Sequence, residues 1–310
     1  MTTFNEPQHQ SEEAARQWFE ALRWSDGIVC PHCGSVGRAY ARSKPGLYRC
    51  AEKECRKDFT VRTKSVLESS HIPLRLWAQA FTLLCSSKKG MSAHQVHRTL
   101  KITYKSAWFL CHRIREAMRQ GGLAPLGGEG EIVEADETYY GRVENPRKTR
   151  ADGTPYKKGQ RGPANKRPIV ALVERGANVR TFHVASADLT TVGKIMRDNI
   201  VRETVIHTDE SMLYRYAGHY YGGHETVKHS DGEYVRGDVH TNSAEGYFSI
   251  FKRGMKGVYQ HCSEKHLHRY LAEYDFRYNH RVKLGYNDGE RAALAVKSAV
   301  GKRLTYRQPH

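Results

Sequence analysis

The sequence predicts a mixed α/β domain, a sheet flanked by helices, preceded by a small cysteine-rich module and a short all-helical segment. Three observations predict it. The runs EIVEADETYY, PIVALVER, VRTFHVAS and VIHTDES alternate or stay apolar as strands do, and one helical stretch over about 189–200 interrupts them. From Pro73 to Arg119 the apolar residues instead recur at helical spacing, in PLRLWAQAFTLLC, MSAHQVHRTL and SAWFLCHRIREAMRQ. Four of the seven cysteines, Cys30, Cys33, Cys50 and Cys55, crowd into one short polar stretch.

A chain of 310 residues exceeds the size at which single domains usually stop growing, about 250–300 residues, so two or three units are expected. Hydrophobic residues make up 39% and charged residues 27%, enough to bury a core. No run approaches the roughly 18 apolar residues of a membrane span, and the N-terminus lacks the layout of a secretory signal. The expected location is the cytoplasm, without a membrane partner. There, the odd cysteine count is not expected to form disulfides. Lysine and arginine number 50 against 33 acidic residues, a formal charge of +17. A polyanion is the expected partner, bound with an affinity that falls steeply with salt.

In chain order, residues 1–27 form an N-terminal amphipathic helix with Ala14, Ala15, Trp18, Phe19 and Leu22 on one face. Residues 28–62 form the cysteine module and 63–120 a three-helix segment. The linker 121–130, GGLAPLGGEG, is the clearest boundary, and 131–310 is the α/β domain. Within that domain, Asn145 to Arg167 is a basic, aperiodic segment expected to be a mobile loop. Thr241 to about Arg281 reads as two helices, and the tail from Gly301 is short and basic.

Cys30-Pro-His-Cys33 and Cys50-Ala-Glu-Lys-Glu-Cys55 are two thiolate pairs separated by 16 residues, the layout of a zinc ribbon. Four thiolates make a closed tetrahedral Zn²⁺ site that stabilises a module too small for a core and leaves no position open for chemistry. Gly34 supplies the tight turn after the first pair. His32 is the alternative ligand. The segment MSAHQVHRTLKITYKSAWFLCHRIREAM has the layout of a helix-turn-helix, with a break at about Lys101 to Thr103. Its second helix carries Lys105, Arg113 and Arg115 as candidate DNA contacts, and Trp108 and Phe109 as core.

In EIVEAD, alternation places Ile132, Glu134 and Asp136 on one face of a strand and Val133 and Ala135 on the other. A carboxylate on an inner strand is costly unless it is paired or binds metal. Asp136 ends that alternating segment and Asp209 ends VIHTD in the same manner, so two strands each deliver an Asp near their ends. In HTNSAEGYFSIFKR, Asn242 and Glu245 share a helical face, and Lys252 lies two turns beyond Glu245. Asp136, Asp209 and Glu245 together could hold two Mg²⁺ or Mn²⁺ ions about 3.5–4 Å apart, which would stabilise the attacking and leaving oxygens of a phosphodiester. Lys252 or Arg253 would hold the phosphate or the terminal DNA. Glu134 and Glu137 read as solvated or salt-bridged.

These residues resemble insertion-sequence transposases of the DDE type with an N-terminal zinc ribbon and an ISXO-like catalytic domain. The similarity is carried by the cysteine pairs, SAWFLCHRIREAM, EADETYYG, HTDES, HTNSAEGYFSIFKRGMKGVY and HLHRYLAEYDFRYNHR, and covers about residues 18 to 307. The resemblance implies an RNase H-like fold, cleavage at terminal inverted repeats, strand transfer into target double-stranded DNA, and a homo-oligomer on DNA that joins two ends. By position it makes Asp136 the first catalytic acid and Asp209 the second. The third is Glu245 or Asn242, and Glu245 is preferred because a carboxylate binds Mg²⁺ better than an amide. His240 contacts DNA or a carboxylate, and Arg277 and Asn279 are structural. The competing readings are a non-catalytic, domesticated DNA-binding protein and an RNase H-like nuclease without strand transfer.

Overall fold

The structure is a computed structural model describing residues 4–144, 149, 153–154 and 165–305. The expected mobile loop at 145–167 lies mostly outside the described residues. The chain divides into two compact units, Met1–Gln120 with His280–His310, and Gly121–Asn279.

The first unit opens with α1 (Pro7–Gln10) and α2 (Glu12–Arg23). The Ser11 hydroxyl caps α2 by accepting the Ala14 N–H at 3.1 Å, and Ala15 and Phe19 are its buried residues. A three-stranded antiparallel sheet follows, β1 (Ala39–Ala41), β2 (Tyr48–Cys50) and β3 (Asp58–Phe59). Next comes α3 (Leu74–Ser86), whose N-cap Pro73 offers no side-chain acceptor. Glu12 fills that role from α2, accepting the N–H groups of Leu74 at 2.7 Å and Arg75 at 3.0 Å. The helix pair expected at 91–118 is α4 (Ala93–Leu100) and α5 (Tyr104–Met118), capped by Ser92 and Thr103. Lys101, at φ 53°, makes the left-handed break between them.

The second unit contains β4 (Ile132–Tyr140), β5 (Arg167–Glu174), β6 (Val179–His183), α6 (Leu189–Asn199), β7 (Val205–Asp209), β8 (Gly223–Val227), α7 (Asn242–Gly254) and α8 (Leu267–Asn279). The sheet order is β6-β5-β4-β7-β8. Its first three strands are antiparallel, while β7 and β8 run parallel to β4. This is the mixed, RNase H-like arrangement with helices on both faces. Val133, Ala135, Val170, Leu172 and Ile206 join Val192 and Met196 of α6 on one face. On the other face, Ile169, Ala171 and Val173 pack with Phe248 and Phe251 of α7 and with Leu271 and Tyr274 of α8.

The edge strand β6 is covered by side chains of α8. Asn279 accepts the Val179 N–H at 2.7 Å and donates to the Val179 carbonyl at 3.0 Å, as a neighbouring strand would. One turn earlier, Asp275 accepts the Thr181 N–H at 3.0 Å. Asn279 is therefore structural, and so is Arg277, which pairs with the fully buried Glu273.

The α/β domain ends earlier than the sequence boundary of 310. Residues from His280 onward belong to the first unit, where α9 (Asp288–Lys297) packs against α3 and α2. A capping box of Asn287 and Glu290 starts α9, and Arg291 donates to the Cys85 carbonyl at the end of α3 at 2.8 Å. No helix among the described residues is long and apolar enough to cross a membrane.

Candidate functional site

The four cysteine sulfurs lie within 4.8 Å of one another, with Cys30 to Cys55 at 3.8 Å and Cys33 to Cys50 at 3.6 Å. A tetrahedron with metal–sulfur bonds of about 2.3 Å has edges of about 3.8 Å, so the arrangement fits zinc with no position left for a fifth ligand. His32 is not in the cluster. Gly34 makes the first tight turn at φ 81°, and Arg56, after the second pair, reaches the same region at φ 47°. The longer second spacing is accommodated there, where Cys55 and Arg56 both donate to the Glu52 carbonyl at 3.1 Å.

The register between β4 and β7 pairs Glu134 with His207. Two residues on along both strands, Asp136 and Asp209 stand level on the face covered by α7. Asp209 is the last residue of β7, as expected. Asp136 does not end its strand: β4 runs on to Tyr140, paired with β5 alone. The Asp136 carboxyl is pushed up to about 7, first by burial and then by the negative charges of Glu137, Asp209 and Glu245. These acids therefore form one electrostatic group. Asp209 accepts the Ser211 N–H at 3.0 Å, which fixes its side chain. Glu245, about half exposed in the first turn of α7, has its carboxylate 3.4 Å from the Thr241 hydroxyl and 3.9 Å from His229.

Glu134 is fully buried and is the residue that ties α7 to the sheet. Its carboxylate accepts the N–H groups of Ser243 at 2.8 Å and Ala244 at 3.1 Å and the Ser243 hydroxyl at 3.0 Å, while the Arg175 guanidinium reaches it at 3.0 Å. A negative charge at the open N–H groups of a helix start is favourable on both hydrogen-bond and dipole grounds. Arg175 also contacts His207 and His240 at 3.2 Å each, and His240 lies 3.3 Å from Glu134, the carboxylate contact foreseen for it. Neither Glu134 nor Arg175 was identified from the sequence as part of a site; the available signal was a carboxylate two residues before Asp136 on the same strand face. Glu137, on the opposite face, accepts the Tyr214 hydroxyl at 2.7 Å.

With the cysteine cluster and the acidic group of β4, β7 and α7 in place, comparison with known proteins decides the family. An ISXO2-like transposase domain model matches residues 125–279, half of the chain, and a transposase zinc-ribbon domain model matches residues 10–58. The chain belongs to the ISXO2-like transposase family. A protein of Halobacterium salinarum described as an uncharacterized protein in transposable element ISH50 is 28% identical over 281 residues, covering 86% of this chain and 90% of that protein.

The remaining site candidates of this transposase divide by burial. Asn242 is the first residue of α7 and is exposed. Lys252 is half-buried beside the Phe248 ring; burial lowers its ammonium pKa while Asp136 raises it, so it lies within electrostatic reach of the acidic group. Arg253 is exposed and donates to the Ser249 hydroxyl at 2.7 Å. Lys105 is exposed on the first turn of α5. Arg113 and Arg115 were expected at a DNA surface, but both are buried. Arg113 donates to the Glu68 carbonyl at 2.9 Å and stacks 4.7 Å from the Phe109 ring centre, which makes it a packing residue. A buried guanidinium meets no phosphate without repacking its helix.

Proposed function

We propose that this transposase cleaves DNA at the terminal inverted repeats of an insertion sequence and joins the ends to target DNA, using Asp136, Asp209 and Glu245 as ligands for two Mg²⁺ or Mn²⁺ ions. The observation that carries this reading is the electrostatic group around Asp136, a mostly buried carboxyl crowded by three further acids on strand and helix. Oxygen ligands of this number and charge suit hard divalent cations, and two such ions would stand about 3.5–4 Å apart. Such ions would stabilise the attacking and leaving oxygens of phosphodiester transfer.

The chain's own residues supply position. Glu134 holds the start of α7, which sets Glu245 against β4. Glu245 is preferred over Asn242 as the third ligand because a carboxylate binds Mg²⁺ better than an amide. Lys252 and Arg253 would neutralise the phosphate of the bound end, with Lys105 contacting the duplex from α5. Joining two ends at once calls for a homo-oligomer on DNA, and the reaction belongs in the cytoplasm.

A strand-transfer assay with the purified chain, Mg²⁺ and a pre-cleaved element end tests this reading. D136A, D209A and E245A are each expected to abolish both end cleavage and joining, and N242A to retain them. Joining by D136A would sink the metal assignment. Cleavage without joining in the unaltered protein would favour the nuclease reading, and full activity of E245A would move the third ligand to Asn242.

A further inference from the structure

We propose that the cleft between α6 and the turns at 212–221 receives an unpaired base of the DNA substrate, stacked on Tyr216 and Tyr220. The proposal rests on the DNA reading above. The cleft has a volume of about 230 Å³ and is walled by Tyr214, Tyr216, Tyr220, Tyr221 and Arg197. It falls below the roughly 300–1,000 Å³ of pockets that enclose a small-molecule ligand and suits one flat ring.

Its chemistry is that of a stacking platform. Tyr216 is 47% exposed and Tyr220 48%, so two large rings are left to solvent on one short segment. Each carries a cation, the Arg215 guanidinium 4.6 Å from the Tyr216 ring centre and that of Arg197 5.9 Å from Tyr220. Arg197 and Arg202 also act electrostatically on Tyr221, whose buried hydroxyl has no hydrogen-bond partner among the described residues. Aromatic faces beside arginines bind single-stranded nucleic acid, the rings taking the bases and the guanidinium groups the phosphates. A paired base inside a duplex has no face to offer, so the occupant must be unpaired or extruded.

The placement fits the same substrate. α6 begins where β6 ends, at the end of the sheet where the parallel strands β4 and β7 also finish and Asp209 lies. Tyr214 lines the cleft and donates its hydroxyl to Glu137, the neighbour of Asp136, at 2.7 Å. Tyr214 thus links the cleft, on the α6 face of the sheet, to Glu137, whose chain neighbour Asp136 stands on the α7 face.

The test measures binding of the full chain, at fixed salt, to a blunt duplex, the same duplex with a single-stranded thymidine overhang, and the same duplex with an abasic overhang. The unaltered protein is expected to prefer the base-bearing overhang over the abasic one roughly tenfold, the contribution of one stacked base. Y216A/Y220A should bring that ratio close to one while leaving blunt-duplex affinity and melting temperature unchanged. Y220L, which keeps apolar bulk without a ring, should lower it partway. Equal binding of the base-bearing and abasic overhangs by the unaltered protein would overturn the proposal, as would a ratio that survives in Y216A/Y220A. Failure to bind any duplex, blunt included, would overturn the DNA reading itself and the proposal with it.

Discussion

The Glu134 carboxylate accepts the backbone N–H of Ser243 at 2.8 Å, across 109 positions of sequence. One strand thereby carries both the anchor of α7 and, two residues on, Asp136. E134A removes the helix cap and leaves Arg175 without its buried partner, at an expected cost of about 3–5 kcal/mol in denaturant unfolding. E134Q keeps a carbonyl oxygen for Ser243 and Ala244 and should fold with a smaller loss. Its end cleavage should fall while duplex binding persists. Unchanged cleavage in a folded E134Q would mean that the charge on Glu134 does not set Glu245.

Lys105 and Arg113 separate surface from core on a single helix. K105A should weaken duplex binding evenly across DNA sequences and lower the slope of log affinity against log salt by about one, with stability unchanged. R113A should instead lower stability by about 1–3 kcal/mol through the lost bond to the Glu68 carbonyl. Its salt slope should stay that of the unaltered protein. A reduced slope for a stable R113A would return Arg113 to the DNA surface.

Burial pushes the Asp275 carboxyl up to about 7, against the hydrogen bonds from Tyr247 and Thr181 that favour its charge. The ordinary value is 3.8, so between these values the folded chain binds a proton that the unfolded chain has released. The Asp275 contribution is therefore small at pH 4, becomes more destabilising as pH rises toward 7 and is constant above that. D275N places an amide among groups that both donate and accept. Its stability relative to the unaltered protein should improve from pH 5 to pH 8, by an amount on the order of a few kcal/mol. A pH-independent difference in unfolding free energy would show that Asp275 keeps an ordinary pKa.

Trp24 packs edge-on against Tyr48 at 5.3 Å and Phe59 at 6.0 Å, beside the strands that bear Cys50. The purified protein should carry tightly held zinc. Its removal by a chelator should release the strands and shift Trp24 emission toward that of exposed indole, with recovery on adding Zn²⁺. Emission insensitive to chelation, in protein shown to have lost its zinc, would mean that the ribbon folds without metal.

Periodicity in the sequence placed α3 to α8 and β4 to β7 but not β8 or α9. Val133 and Ala135 against Glu134 and Asp136 showed the two faces of β4, and the break at about Lys101 to Thr103 separated α4 from α5. Local pattern does not name distant partners, and that is where the reading stopped. Glu134 looked like any salt-bridged acid because the N–H groups it accepts belong to a helix 109 positions away. Arg113 and Arg115 looked like a basic face because their burial depends on neighbours that spacing on one helix does not reveal. The strand ending assigned to Asp136 was misplaced for a related reason. Alternation continues through Tyr140, and what stops at that level is the partner strand β7.

The return of α9 to the first unit bears on how the molecule is made. On a ribosome, α3 emerges some two hundred residues before the helix that packs against it; the Cys85 carbonyl waits for Arg291 across 206 positions. The zinc ribbon and the helix pair can form early, but the unit holding them is finished only after the second unit has been synthesised. A polypeptide broken off within the second unit would therefore be released with the apolar surface of α3 uncovered, a target for proteolysis and not a competitor of the intact transposase.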